Sequence, residues 1–128
     1  MLLTEDEIID IGKQARAEIK EPHGYCSVAS KIIIKEIKSR YGDKISGRDI
    51  SMKEVIVDKQ QNIRHYVVKI NSEYIVGSSY PGSHIIDVTL DQYCSENKKK
   101  GKVNMSFGSR NSIDEINIFT YEEAPYTN

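Results

Sequence analysis

Residues 21–42 read EPHGYCSVASKIIIKEIKSRYG, and the point at which this stretch turns helical bears on both fold and chemistry. Pro22 turns Glu21 out of helical conformation and Gly24 adds backbone freedom, so a preceding helix ends here. A new helix starts at about Cys26 or Ser27 and runs to Arg40. Val28 or Ala29, Ile32, Ile33, Ile37 and Tyr41 form its buried stripe, and Gly42 is its stop. Cys26 therefore falls in a first helical turn, where unpaired N–H groups and the positive end of the helix dipole favour a thiolate.

Upstream, Thr4 and Glu7 fit a capping box, and Ile8, Ile11, Ala15 and Ile19 repeat at helical spacing, which predicts a first helix over 5–20. Downstream the period changes. MKEVIVD (52–58), RHYVVKI (64–70), EYIVG (73–77) and HIIDVTL (84–90) are short, β-branched and bounded by turn residues. INSEYI reads as a tight hairpin between two of them, IDEINIFTY (113–121) as an edge strand, and EEAPYTN as a loose end. Two helices followed by strands predict one α+β domain over 1–128, its N-terminal helices packed on an antiparallel sheet.

With 38% apolar and 29% charged residues, the chain has the composition of a globular protein. A net charge of −1 argues against an electrostatic grip on nucleic acid or anionic membrane, and the basic run NKKKGK (97–102) reads as a solvated loop. With no signal-peptide pattern and no membrane-length apolar run, a cytoplasmic location is expected. The three histidines are scattered and no CxxC, HxxxH or HExxH spacing occurs, so neither a metal nor another cofactor is expected. Cys26 and Cys94 are expected to stay free thiols in a reducing compartment.

A thiol nucleophile needs a base, and the base needs an orienting group. His65 opens a strand, which puts its side chain near a sheet end rather than deep in the core. Asp87 lies within an otherwise apolar strand, where an unpaired carboxylate is costly and a histidine on the neighbouring strand is its natural donor. His84 differs from Asp87 by three positions and projects to the other face, which makes it a poor partner. His23 is a weaker candidate base, because a side chain just before a helix rarely aims back at its first turn. Cys94 reads as packing, and Arg110, in the turn GSRN (108–111), as a solvated loop residue.

Cysteine on a helix, histidine on a strand, then aspartate on a later strand is an order with a known counterpart. GYCSVASKIIIKEI, HYVVKI and HIIDVTLDQY together resemble the papain-like and transglutaminase-like cysteine enzymes, especially a small bacterial and phage branch related to peptidases, transglutaminases and protein-glutamine deamidases. The resemblance covers about residues 20–95, and its most specific part is Asp87, Thr89, Gln92 and Tyr93. It implies Cys26 as nucleophile, His65 as general acid/base and Asp87 as orienting carboxylate, with Gln92, Thr89 and Tyr25 as candidate oxyanion or supporting groups. It also implies a protein or peptide substrate and fixes no oligomeric state. Papain's oxyanion glutamine, a few residues before its cysteine, has no counterpart here; Gln14 lies too far upstream. VGSSYPGS (76–83) lengthens the link between the His65 and Asp87 strands and reads as a surface excursion. The alternative reading is an inactive binding or regulatory module on the same fold, with Cys26 as a small buried hydrophobe.

Overall fold

The computed structural model describes residues 2–21, 24–60, 62–93 and 115–126. Helix α1, Glu5–Glu18, begins as the cap pattern predicts: Glu7 N–H donates to Thr4 Oγ1 at 3.1 Å. The Glu7 carboxylate does not close the box but accepts from the Tyr41 hydroxyl and from Arg40 Nη1 at 3.1 Å, which ties α1 to the next helix. Ile8, Ile11 and Ala15 are buried against the sheet and that helix.

Helix α2, Cys26–Tyr41, starts at the cysteine. Its buried stripe runs through Ala29, Ser30, Ile33 and Ile37, whereas Val28 is 44% exposed. Gly42 stops it with φ +52°, a backbone few other residues adopt, and donates its N–H to Lys38 O.

Among the described residues, four strands form one antiparallel sheet in the order β1 (Ile50–Asp58), β2 (Ile63–Asn71), β3 (Ser83–Asp87) and β4 (Asn117–Thr120). The molecule is thus α+β, two helices on a four-stranded antiparallel sheet. Side-chain alternation splits the core in two. Ile50, Val68, Ile70 and Ile86 face the helices. Val55, Val57, Val67, Ile85 and Phe119 face the other way and are covered by Leu90, Tyr93, Ala124 and Tyr126.

Several expectations require correction. EYIVG is not a strand: Ser72–Tyr74 form a single 3-10 turn, so INSEYI is not a tight hairpin. Ile75 makes one parallel bridge to Leu3, and its β-branched side chain helps close the helix-side core. HIIDVTL is strand only to Asp87, because Leu90–Tyr93 coil into a 3-10 turn. The edge strand is confined to Asn117–Thr120; positions 113 and 114 lie outside the described residues. The C-terminal segment is not loose through Tyr126: Glu123 and Ala124 N–H groups return to Thr120 O, and Tyr126 packs on the second core. Among the described residues, no helix is long and apolar enough to cross a membrane.

Candidate active site

The β2–β3 ladder ends at Val68↔Ile86. One step further that register sets Asp87 beside Val67 and diagonal to His65, all three on the face turned away from the helices. His65 Nε2 donates to Asp87 Oδ2 at 2.8 Å, and Asp87 Oδ1 accepts from Thr89 N–H at 3.0 Å. Both side chains are sealed, with His65 0% and Asp87 1% exposed. His65 is thus deep in the core and not merely near a sheet end: Leu90–Tyr93 and Tyr126 fold over it, and the Tyr93 ring meets its imidazole edge-on at 5.3 Å.

Where β2 runs past the end of β3, helix α2 takes over the vacated backbone. The Tyr66 N–H serves the Cys26 sulfur, and the Tyr66 carbonyl accepts from Ser30 Oγ at 3.3 Å. Cys26 and Ser30 are one helical turn apart, so they grip the backbone of the same residue from one helix face. This fixes the half-buried Cys26 at the first position of α2, in hydrogen-bond reach of His65. The first turn holds no acidic residue and its N-cap, Tyr25, makes no side-chain capping bond, so among the described residues neither offsets the positive helix end.

Electrostatics follow from this packing. Burial pushes the Cys26 thiol up, but the His65 hydrogen bond, the Tyr66 N–H, the His65 charge and the Ser27 N–H together bring it below its ordinary value of 9.0. Burial likewise pushes His65 down from 6.5, but the charge and hydrogen bond of Asp87, then those of Cys26, raise it to about 9. With Nε2–H committed to Asp87, Nδ1 is the nitrogen left for the thiol proton. Tyr93, pushed up chiefly by burial, stays a neutral phenol.

The supporting candidates separate. Gln92 is 3% exposed and holds its amide nitrogen 3.5 Å from His65 Nδ1. Thr89 supports Asp87 through its backbone. Tyr25 packs on the helix-side core. His84 is apart from Cys26, His65 and Asp87, its Nδ1 2.6 Å from Ser72 Oγ at the opposite end of the sheet. VGSSYPGS lies at that end too, where Tyr80, Pro81 and Ser78 line an open groove of about 610 Å³ together with Asn71 and Glu73. Asn71 lies six positions along β2 from His65, about 20 Å. Cys26 is a free thiol. His23, Cys94, NKKKGK and Arg110 lie outside the described residues. Among the described residues no group of three or more His, Cys, Asp or Glu side chains is arranged to hold a metal.

Two residues escape the sequence reading. Arg16 of α1 forks onto Asp91, Nη1 to Oδ1 at 2.6 Å and Nη2 to Oδ2 at 2.7 Å, and also donates to Val88 O at 2.6 Å. It thereby holds the segment that follows Asp87. Tyr126 donates its hydroxyl to Asp87 Oδ2, the oxygen that also serves His65. Neither carries a local signal, since Arg16 lies on a helix whose apolar stripe is elsewhere and Tyr126 in a polar tail. Compared with known protein families, curated protein sequences and solved structures, the chain finds no match.

Proposed function

We propose that the protein is a thiol-dependent acyl-transfer enzyme acting on protein amide groups through Cys26, His65 and Asp87, on a papain/transglutaminase-like variant of the α+β fold. The observation that carries this reading is a buried histidine held between a carboxylate 2.8 Å away and a cysteine at the start of a helix, its second nitrogen left for the sulfur.

In this reading the Cys26 proton passes to His65 Nδ1 and the thiolate attacks an amide carbonyl. The tetrahedral oxyanion draws on first-turn N–H groups of α2. His65 returns the proton to the leaving nitrogen, the C–N bond breaks, and a thioester remains on Cys26. Water, deprotonated by His65, then releases the acid and regenerates the thiol; a lysine amine in its place gives a cross-link. Asp87 holds the imidazole in the required tautomer and balances its charge. A peptide bond, a glutamine carboxamide and an amine acceptor all pass through the same thioester, and we favour deamidation of a protein glutamine.

Two measurements test it. Alkylation of Cys26 by iodoacetamide, followed by mass spectrometry from about pH 5 to about pH 9, is expected to be fast at the acidic end in the wild type and slow in His65→Ala. Glutamine-containing proteins and peptides are expected to release ammonia, and hydroxylamine is expected to trap the acyl group, with Cys26→Ala inert. A Cys26 that alkylates like a free thiol in both proteins sinks the reading and leaves the binding module.

A further inference from the structure

We infer that Tyr126 is a positioning residue of this site, delivered by the C-terminal segment to hold the Asp87 carboxylate in line with His65. The inference rests on the thiol reading above and extends it by a fourth side chain.

The carboxylate of Asp87 is buried at the end of β3 and must find its donors inside the protein. Oδ1 takes the Thr89 N–H, while Oδ2 takes both His65 Nε2 and the Tyr126 hydroxyl. Two donors converging on one oxygen, with a third on the other, define the rotation of the carboxylate about its Cβ–Cγ bond. Without the hydroxyl, the described residues that oppose rotation are the Thr89 amide and the histidine that the carboxylate is meant to orient.

The way Tyr126 arrives supports the same role. The Glu123 and Ala124 N–H groups turn the chain back on Thr120 O just after β4, the strand paired with β3 through Asp87↔Asn117. The Tyr126 ring then lies edge-on to Phe119 at 6.3 Å and tilted against His65 at 6.2 Å. The ring closes the site and the hydroxyl positions Asp87, so the two roles can be separated by removing one oxygen atom. Among the described residues, the other titratable or charged groups around the cluster are Cys26 from α2, Tyr66 from β2, which feels the Cys26 charge, Tyr93 from the turn after β3 and Arg16 from α1, whose charge is felt at Asp87.

The test is Tyr126→Phe, which keeps the ring. The pH profile of Cys26 alkylation by iodoacetamide is compared in wild type, Tyr126→Phe, Asp87→Asn and the double variant. A hydroxyl that positions Asp87 is expected to move the acid limb of the profile upward by about half a pH unit when lost, and to do nothing further once Asp87 is already Asn. A Tyr126→Phe profile that superimposes on the wild type while Cys26 remains activated overturns the inference and leaves the thiol reading standing. An equal shift in the Asp87→Asn background also overturns it, since the hydroxyl would then act by another route. An unactivated wild-type Cys26 removes the thiol reading and this inference with it.

Discussion

His65 and His84 stand on neighbouring strands of one sheet and differ in what the fold places beside them. His65, sealed from solvent near the start of β2, faces the Asp87 carboxylate and the Cys26 thiol, and its pKa rises to about 9. His84, half-buried on β3, bonds a neutral hydroxyl, Ser72 Oγ at 2.6 Å, and is edge-on to Tyr80 at 5.9 Å. Burial pulls its pKa below 6.5, and the pull of Glu123 and Glu5 does not reverse that. Desolvation opposes the charged imidazole in both cases, so depth alone would make His65 the less basic of the two. A carboxylate that the sheet register brings alongside inverts the order. Imidazole charge in this protein is therefore governed by partner identity at each end of the sheet.

The harshest way to break the comparison is to remove His65. His65→Ala leaves the Asp87 charge buried without its main partner and empties the space against Tyr93. We expect a loss of about 3 kcal/mol in urea unfolding at neutral pH. Cys26 alkylation near pH 6 should fall at least about tenfold as its pKa returns toward an ordinary thiol's. His65→Gln, which fills most of the space, should lose the reactivity with less of the stability. Retained reactivity in both variants would mean that the helix start and the Tyr66 N–H activate the sulfur without His65.

A second effect depends on pH. His65 titrates higher in the folded protein than in the unfolded chain, so its contribution to stability is complete below 6.5 and is lost as pH rises through about 9. Cys26 titrates lower when folded, so its contribution is complete above 9.0 and is lost as pH falls through its depressed value. From 6.5 up to the depressed value of Cys26 the His65 slope stands alone; from there to 9.0 the two slopes oppose each other, because one proton is only exchanged between sulfur and ring. Wild-type stability should therefore be nearly flat across this window. Cys26→Ser removes one slope, and its urea midpoint should decline steadily from about pH 6.5 upward, levelling off below about pH 9 because the Cys26 contribution to His65 is gone. A Cys26→Ser protein as flat as the wild type would show that His65 is not held charged by Asp87.

The nearness of Cys26, His65 and Asp87 is legible in the sequence because each breaks a local pattern. Cys26 follows a Pro–Gly interruption, His65 precedes an apolar run, and Asp87 is a charge inside one. Alternation alone separates His84 from Asp87, and the structure keeps them apart. The depth of His65 is not legible, because it comes from residues 90–93 and from Tyr126, which close over it after an interval of 25 residues or more in the chain. EYIVG misleads because β-branched content reports burial as readily as pairing. Ile75 is 2% exposed and makes a single bridge to Leu3, so it behaves as a plug for the helix-side core. Arg16 reads as a solvated helix charge until α1 is docked beside the segment after β3, where its fork meets Asp91.

Arg16 offers the next effect in size. It binds the turn that follows Asp87 without touching His65, so it should affect the fold more than the titration of the site. Arg16→Ala removes three charge-assisted bonds from a side chain that is 16% exposed, and we expect a loss of about 2 kcal/mol in urea unfolding. Arg16→Lys keeps the charge but not the planar fork, and should recover only part of that loss. If Arg16→Ala displaced the Cys26 acid limb as far as Asp87→Asn does, the clamp would belong to the site as much as to the fold.

The smallest expected effect falls on the other histidine, and it sharpens the contrast most. His84→Ala removes one hydrogen bond to Ser72 and one aromatic contact at a half-buried position, which should cost about 1 kcal/mol. Its folded pKa is lowered, so a neutral imidazole is what the fold accommodates, and protonation below 6.5 works against folding. Wild-type stability should therefore show a small acid-side decline near that pH, which His84→Ala reduces and Cys26→Ser leaves in place. The Cys26 alkylation profile should be unchanged in His84→Ala, because His84 pairs with Thr120 and bonds Ser72 at the end of the sheet away from the sulfur. A displaced profile would mean that the two ends of the sheet are electrostatically coupled. An unchanged one, beside the large effect of His65→Ala, would leave the difference between the histidines to Asp87.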